Sequence, residues 1–219
     1  MMTNLFSTFD PSTNMSLSLN WMSTFIGMMI IPMNFWMMTN RIKMTMNMVI
    51  HKLFSEFKML FSNNSMNLIM VMSLFMFIIL NNIMGLLPYI FTSSSHMSFS
   101  LTLALPMWVG LMLFGWANKT QKMFAHLIPK GTPPPLIPFM VVIETISNMI
   151  RPGSLAVRLS ANMIAGHLLM SLLGNKAEGL ITPLIIMFQM MLMLFETAVA
   201  IIQAYVFSVL STLYSQEVN

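Results

Sequence analysis

The sequence predicts an all-α polytopic membrane protein with spanning helices, an interfacial amphipathic helix and a long, steeply inclined C-terminal helical hairpin. Of the 219 residues, 57% are hydrophobic and only 7% are charged, whereas soluble domains contain about 25% charged residues. The apolar residues form several runs of about 20 residues or more, the length that a helix needs to cross a bilayer. No internal repeat interrupts this pattern, so we expect residues 1–219 to form a single integral membrane domain.

The composition also excludes several classes of function. The chain has no cysteine, which excludes disulfides, thiolate metal sites and cysteine nucleophiles. Its net charge of +4 is too sparse for a surface that binds nucleic acid. The 30 methionines are typical of codon bias in an AT-rich organellar genome, and the alternative is a specialised methionine-rich surface.

The first two elements are a spanning helix over 17–38 and an amphipathic helix over 41–61. Trp21 and Trp36 lie near the ends of the span, as aromatic anchors at the membrane interface do. The preceding tail contains Asp10 and lacks the basic residues of a signal peptide, so we expect the span to be retained. In the second element, apolar residues recur every three or four positions and polar residues lie opposite, which predicts an interfacial helix. Its apolar face comprises Met46, Val49, Ile50, Leu53, Phe57, Leu60 and Phe61.

The next elements are spanning helices over 66–91 and 98–117, separated by a short polar reversal at 92–96. Three consecutive prolines lie in the stretch 118–135, which predicts a loop with an extended polyproline piece.

The last element is a hairpin of two overlong helices, 136–173 and 180–213. The first run would be about 57 Å long as a helix, at 1.5 Å per residue, whereas the hydrocarbon core of a bilayer is about 30 Å thick. We therefore expect this run to be strongly tilted, broken near Pro152, or both.

Basic residues predict the orientation of the spans, because Lys and Arg concentrate in loops on the side where the protein is made. Residues 39–65 and 118–135 are basic, whereas the N-terminal tail and residues 92–96 have no Lys or Arg. This pattern predicts an outer N-terminus and an inner C-terminus. It also places Glu144 near the inner face and His167 towards the outer face.

Arg158 is the most informative residue, because a guanidinium stays protonated and a charge at the bilayer centre costs at least about 2.5–3.5 kcal/mol. The default interpretation is a functional site that faces protein or water. Helical periodicity places Glu144, Arg151 and Asn162 within about 40° of it. The region also contains small residues that would let another helix approach closely: Ser154, Ala156, Ser160, Ala161, Ala165 and Gly166.

On the last helix, Glu196 is the carboxylate expected to approach His167, and such a pair is a plausible proton relay. Gln203 is expected near the level of Arg158. Structural alternatives remain open at this point: Arg158 paired with Glu196, or a buried His167–Glu196 pair. Further expectations are a helix-break or headgroup contact for Arg151 and interhelical hydrogen bonds for Asn81 and Asn82.

Residues 150–169, IRPGSLAVRLSANMIAGHLL, closely resemble the core motif of ATP synthase subunit a, in its mitochondrially encoded form. Supporting similarity lies in NIMGLLPY at 82–89, FMVVIETIS at 139–147 and ETAVAIIQAYVF at 196–207. The resemblance implies a stationary, non-catalytic subunit of the membrane proton motor, without a cofactor or a metal. It further implies a mitochondrial inner-membrane location, with the N-terminus in the intermembrane space and the C-terminus in the matrix.

The same resemblance implies roles for residues and partners. Arg158 would be the essential arginine facing a ring of c-type proteolipid subunits, each of which has one buried carboxylate. His167 and Glu196 would line the outer half-channel. The other implied pathway residues are Asn162 and Gln203 near the centre, and Glu144 and Glu217 on the matrix side. Further implied partners are the peripheral-stalk subunit b, small accessory Fo subunits and lipid.

Three other classes were weighed against this hypothesis. An antiporter-like subunit of a respiratory complex would normally have intramembrane lysines, and every lysine here falls in a predicted loop or interface. A haem-binding subunit needs paired axial histidines, whose spacing is absent from the sequence. A structural scaffold would not need Arg158, His167, Glu144 and Glu196 inside apolar runs.

Overall fold

The computed structural model describes residues 5–13, 17–31, 38, 40–60, 65–128, 133–175 and 182–218. Within these ranges every regular element is a helix, which confirms the predicted all-α class. The α-helices are α1 (Ser23–Ile30), α2 (Arg41–Leu60), α3 (Ser65–Gly85), α4 (Met97–Asn118), α5 (Thr120–His126), α6 (Ile137–Asn175) and α7 (Thr182–Val218). Short 3-10 helices cover Leu5–Phe9, Leu19–Met22, Ser93–Ser95 and Pro134–Leu136.

Four segments of the described chain are long and apolar enough to cross a membrane, which confirms the polytopic prediction. They are Leu68–Gly85, Met97–Asn118, Pro134–Asn175 and Thr182–Gln216.

In two predicted spans a helix ends inside the apolar run. The described helical part of 17–38 is Leu19–Ile30, and residues 32–37 lie outside the described residues. Ile31 is extended, with ψ 117°, because a residue that precedes a proline is forced out of the helical region. Helix α3 ends at Gly85 rather than at residue 91, and Tyr89 then adopts a positive φ of 67°.

The predicted loop over 118–135 is wrong for most of its described part. Helix α5 covers Thr120–His126 after a break at Lys119, where φ is −137° and ψ is 49°. The residues of α5 include Gln, Lys, Met and Ala, which are good helix formers, and contain neither Pro nor Gly. Pro134 begins a short 3-10 helix, and residues 129–132 lie outside the described residues.

Helix α6 passes through Pro152 without interruption, so of the two expected options, a tilt or a break near Pro152, the break is wrong. Its 39 residues correspond to about 58 Å at 1.5 Å per residue. Membrane helices tolerate an internal proline because neighbouring helices and hydroxyl side chains satisfy the freed backbone groups. This length exceeds an ~30 Å hydrocarbon core, so the uninterrupted helix favours the predicted inclination, which stays a prediction.

The core lies where α3, α4, α6 and α7 cross. It is built from Phe75, Ile78, Ala104, Leu155, Ala156, Leu159, Ala204 and Phe207. Several of these side chains are small, which allows close approach of helices in a membrane bundle. A second cluster joins α2 to α3 through the fully buried Phe57, so the amphipathic helix contacts protein along part of its apolar face.

Candidate functional site

The antiparallel α6 and α7 are aligned by contacts between small residues and larger side chains. Gly166 lies against the Glu196 side chain, Met163 packs with Ala200, and Leu159 shares the core with Ala204. Along these contacts the residue numbers decrease in α6 while they increase in α7, as expected for an antiparallel pair of helices. This register places Arg158 at the level of Ala204 and Tyr205, so Gln203 lies within about one helical turn of that level.

The small residues predicted around Arg158 divide between two faces of α6. Ala156, Ser160 and Gly166 are buried against neighbouring helices, whereas Ser154, Ala161 and Ala165 are exposed. The helical period explains the division, because residues a few positions apart can lie on opposite sides of the axis. Small side chains thus occupy part of the exposed face of α6.

Arg158 lies on this exposed face of α6. Its guanidinium makes no hydrogen bond or ion pair with another described residue. The structural alternative in which Arg158 pairs with Glu196 is therefore wrong. An arginine in an apolar helix needs a partner or water, and α6 directs this one outward from the bundle.

Glu196 is buried inside the hairpin, with 8% of its surface exposed. Neither of its carboxylate oxygens has a hydrogen-bond partner among the described residues. It lines a cavity of about 390 Å³ together with Asn162 and Gln203. The structure thus brings three of the predicted site residues around one space.

His167 faces a different cavity, of about 810 Å³, which Gln189 and the N-terminal residues also line. Its Nε2 is buried without a partner among the described residues. Among the described residues no ion pair or hydrogen bond joins His167 to Glu196, so the structure does not contain the direct pair that was expected. Glu196 packs against Gly166, the residue before His167. Because successive residues differ by about 100° around the helix axis, the His167 side chain points in a different direction from Gly166.

The opposite end of α6 holds a third group of residues. Arg151 donates a hydrogen bond from Nη2 to Oε1 of Glu144 over 3.4 Å, and its guanidinium lies 5.2 Å from the centre of the Tyr214 ring. These residues line a cavity of about 270 Å³ with Trp108. The expected helix break at Arg151 is wrong. The ion pair between Arg151 and Glu144 could have been inferred from their spacing of seven residues on one helix. No feature of the sequence indicated that Tyr214 and Trp108 line the same cavity.

Glu217 and Asn82 complete the set of predicted polar residues. Glu217 lies in the last turn of α7, and its side chain is outside the described part of the structure. The Nδ2 of Asn82 donates a hydrogen bond to the Ala200 carbonyl over 3.4 Å, which confirms the predicted contact between helices. Asn81 instead donates to the Phe77 carbonyl of its own helix, so an interhelical bond from Asn81 was the wrong expectation.

The site thus consists of one exposed arginine between two groups of buried or half-buried polar residues. Along α6, Glu144 is about 21 Å from Arg158, and Gly166, which faces Glu196, is about 12 Å away on the other side at 1.5 Å per residue. In the part of the chain that the structure describes, no three His, Cys, Asp or Glu side chains are grouped as metal ligands.

Comparison with known proteins covers nearly the whole chain. The model of the family described as ATP synthase A chain matches residues 11–216. Proteins named ATP synthase subunit a from Aedes aegypti, Locusta migratoria and Drosophila melanogaster are 59%, 58% and 56% identical to this chain. Each of these alignments covers 100% of both proteins.

Proposed function

We propose that this chain, which belongs to the ATP synthase subunit a family, forms two offset proton half-channels that meet at Arg158. As a member of that family, the chain is a non-catalytic subunit of the proton-translocating Fo sector. Family membership excludes the antiporter-like, haem-binding and scaffold alternatives. The observation that carries the proposal is the position of Arg158, which is exposed on α6 between separate cavities towards either end of the helix.

Two groups of residues form the half-channels in this proposal. The outer path runs through the His167 cavity to Glu196, and then along Asn162 and Gln203 towards the level of Arg158. The inner path runs from Arg158 to Glu144 and on to Glu217 near the inner surface. Support comes from the unpartnered atoms of His167 and Glu196 and from the cavities that these residues and Glu144 line.

Arg158 keeps the two paths apart by its chemistry. A carboxylate on a rotating c-type ring crosses lipid only when protonated, because the charged form is too costly there. Opposite the guanidinium the ionised form is favoured, so the proton is released to one path and regained from the other. An arginine does not deprotonate, so it cannot pass a proton directly between them. The membrane potential supplies about 2.3 kcal/mol per proton per 100 mV.

The exposed face of α6 is the surface that the ring would pass. Its exposed residues Ala161 and Ala165 are small, and small side chains let a neighbouring helix approach closely. Other partners in the proposal are peripheral-stalk subunit b, small accessory Fo subunits and lipid. The proposed location is the mitochondrial inner membrane, with the N-terminus in the intermembrane space and the C-terminus in the matrix.

Replacement of Arg158 tests the proposal. Complexes with Arg158→Ala should assemble but lose ATP-driven proton pumping in vesicles, because nothing then ionises the ring carboxylate between the two paths. The matched controls are Val157→Ala, an exposed neighbour, and Arg41→Ala, an exposed cation at the start of α2. Both should pump normally. Normal pumping by assembled Arg158→Ala complexes would contradict the proposal.

A further inference from the structure

The N-terminal segment forms one wall of the cavity that contains His167. The short helix Leu5–Phe9 brings the Phe9 ring against the His167 imidazole, edge to face, with 6.3 Å between the ring centres. Asp10 follows directly and lines the same cavity of about 810 Å³. Because Phe9 packs on His167, the position of Asp10 is tied to that of the histidine.

The Asp10 carboxylate is held in one orientation although it is exposed to solvent. Its Oδ1 accepts hydrogen bonds from the backbone N–H of Ser12 over 3.0 Å and from the Ser12 hydroxyl over 2.8 Å. Asn20 donates from Nδ2 to the Asp10 carbonyl over 3.3 Å. The bonds from Ser12, the backbone bond foremost, lower the pKa of Asp10. The cavity therefore has a fixed negative charge at neutral pH.

No other carboxylate and no Lys or Arg lies among the described residues that line this cavity. Its titratable groups are Asp10, Tyr89 and His167. Free protons are scarce at neutral pH, and a fixed negative charge at the mouth of a cleft raises the local concentration of cations. Asp10 would therefore increase the rate at which protons reach the His167 cavity.

We propose that Asp10 is the proton-collecting carboxylate at the entrance of the outer half-channel, held in the His167 cavity by its neighbours Phe9 and Ser12. The inference rests on the proposed role of His167 in the outer path. It gives the N-terminal segment a function in proton supply in addition to its packing on α6.

The test uses complete ATP synthase complexes in vesicles, with ATP synthesis measured at constant membrane potential while the outer pH is varied. Asp10→Asn removes the charge and keeps an oxygen that can accept the Ser12 bonds. At neutral to alkaline outer pH and low ionic strength, its rate should fall by about tenfold, the low end of electrostatic steering effects. The deficit should shrink in acidic medium, where protons are abundant, and at high salt, which screens the charge of Asp10.

Two matched variants complete the experiment. Asp10→Glu keeps the charge and should retain most of the rate, whereas Glu56→Gln neutralises an exposed carboxylate on α2 and should change nothing. A rate for Asp10→Asn equal to that of the unmodified complex at every pH would overturn the inference. A pH-independent loss that Asp10→Glu shares would also overturn it, because it would indicate a purely structural role.

The Arg158→Ala complex separates the two proposals. If Arg158→Ala stops pumping while Asp10→Asn has no effect, the half-channel proposal stands and only the assignment of Asp10 fails. If assembled Arg158→Ala complexes pump normally, the half-channel proposal fails and the inference about Asp10 fails with it.

Discussion

Gly166→Ala places a methyl group where the Glu196 side chain now lies. A Cβ at this position would be 2.7 Å from both Cδ and Oε1 of Glu196, and 3.1 Å from its Cγ. Ordinary van der Waals contact begins at about 3.5 Å, so the carboxylate must move by roughly 1 Å. The glutamate is a flexible side chain, and we expect it to move while the two helices stay in place.

The expected change in stability is small, because two effects oppose each other. Alanine is more favourable than glycine inside a helix by about 0.8–1.0 kcal/mol, whereas an added methyl in a packed interior costs about 1–3 kcal/mol. The net destabilisation should therefore be between about zero and 2 kcal/mol. The effect on proton flow should be larger, because displacement of a reacting group by about 1 Å can lower a rate by up to about 100-fold.

Gly153→Ala is the matched control on the same helix, because an added Cβ there has no atom within 4 Å. It should gain helix stability and conduct protons normally. The assay compares proton flux through the membrane sector and the thermal stability of the assembled complex for both variants. Flux in Gly166→Ala equal to that in Gly153→Ala would refute the reasoning, because Glu196 would then tolerate displacement from its cavity.

Two further substitutions test the packing that positions the site. Phe57→Ala removes a fully buried ring that packs on Phe75 and Tyr205. It should lower the free energy of unfolding by about 3–5 kcal/mol, measured by thermal unfolding. Replacement of the exposed Met59 by Ala should lower it by less than about 0.5 kcal/mol. Ala156→Leu inserts bulk at a position with no exposed surface and should destabilise the packing of α6 in the core by about 1–3 kcal/mol. Ala161→Leu, on the exposed face, should leave stability unchanged and slow proton flow, and the opposite pattern would contradict the assignment of faces.

The local sequence predicted which segments form helices better than it predicted where those helices end. The apolar runs indicated the spans, because their length and composition decide whether a helix is stable in lipid. Helix ends depended on single residues: Ile31 precedes a proline, and Lys119 breaks the chain between α4 and α5. The passage of α6 through Pro152 was not predictable from the run itself, because neighbouring helices compensate for the lost hydrogen bond.

The candidate site was also only partly predictable from the sequence. The cost of burying a permanent charge singled out Arg158 from the sequence alone, because that cost depends on residue type and surroundings and not on fold. The motif around it was specific enough to predict the family. The pairing of side chains was less predictable, since His167 and Glu196 were expected to meet and face different cavities instead.

The sequence by itself determined that this chain is a helical membrane protein with a permanent charge inside an apolar run, because hydrophobic length and charge are properties of the local chain. Only the tertiary structure decided which polar side chains line the same cavity. The register of α7 against α6 sets Glu196 on Gly166, and the N-terminal segment brings Asp10 to the His167 cavity. Both results depend on contacts between residues far apart in the chain, and helical periodicity within one segment carries no information about its neighbour.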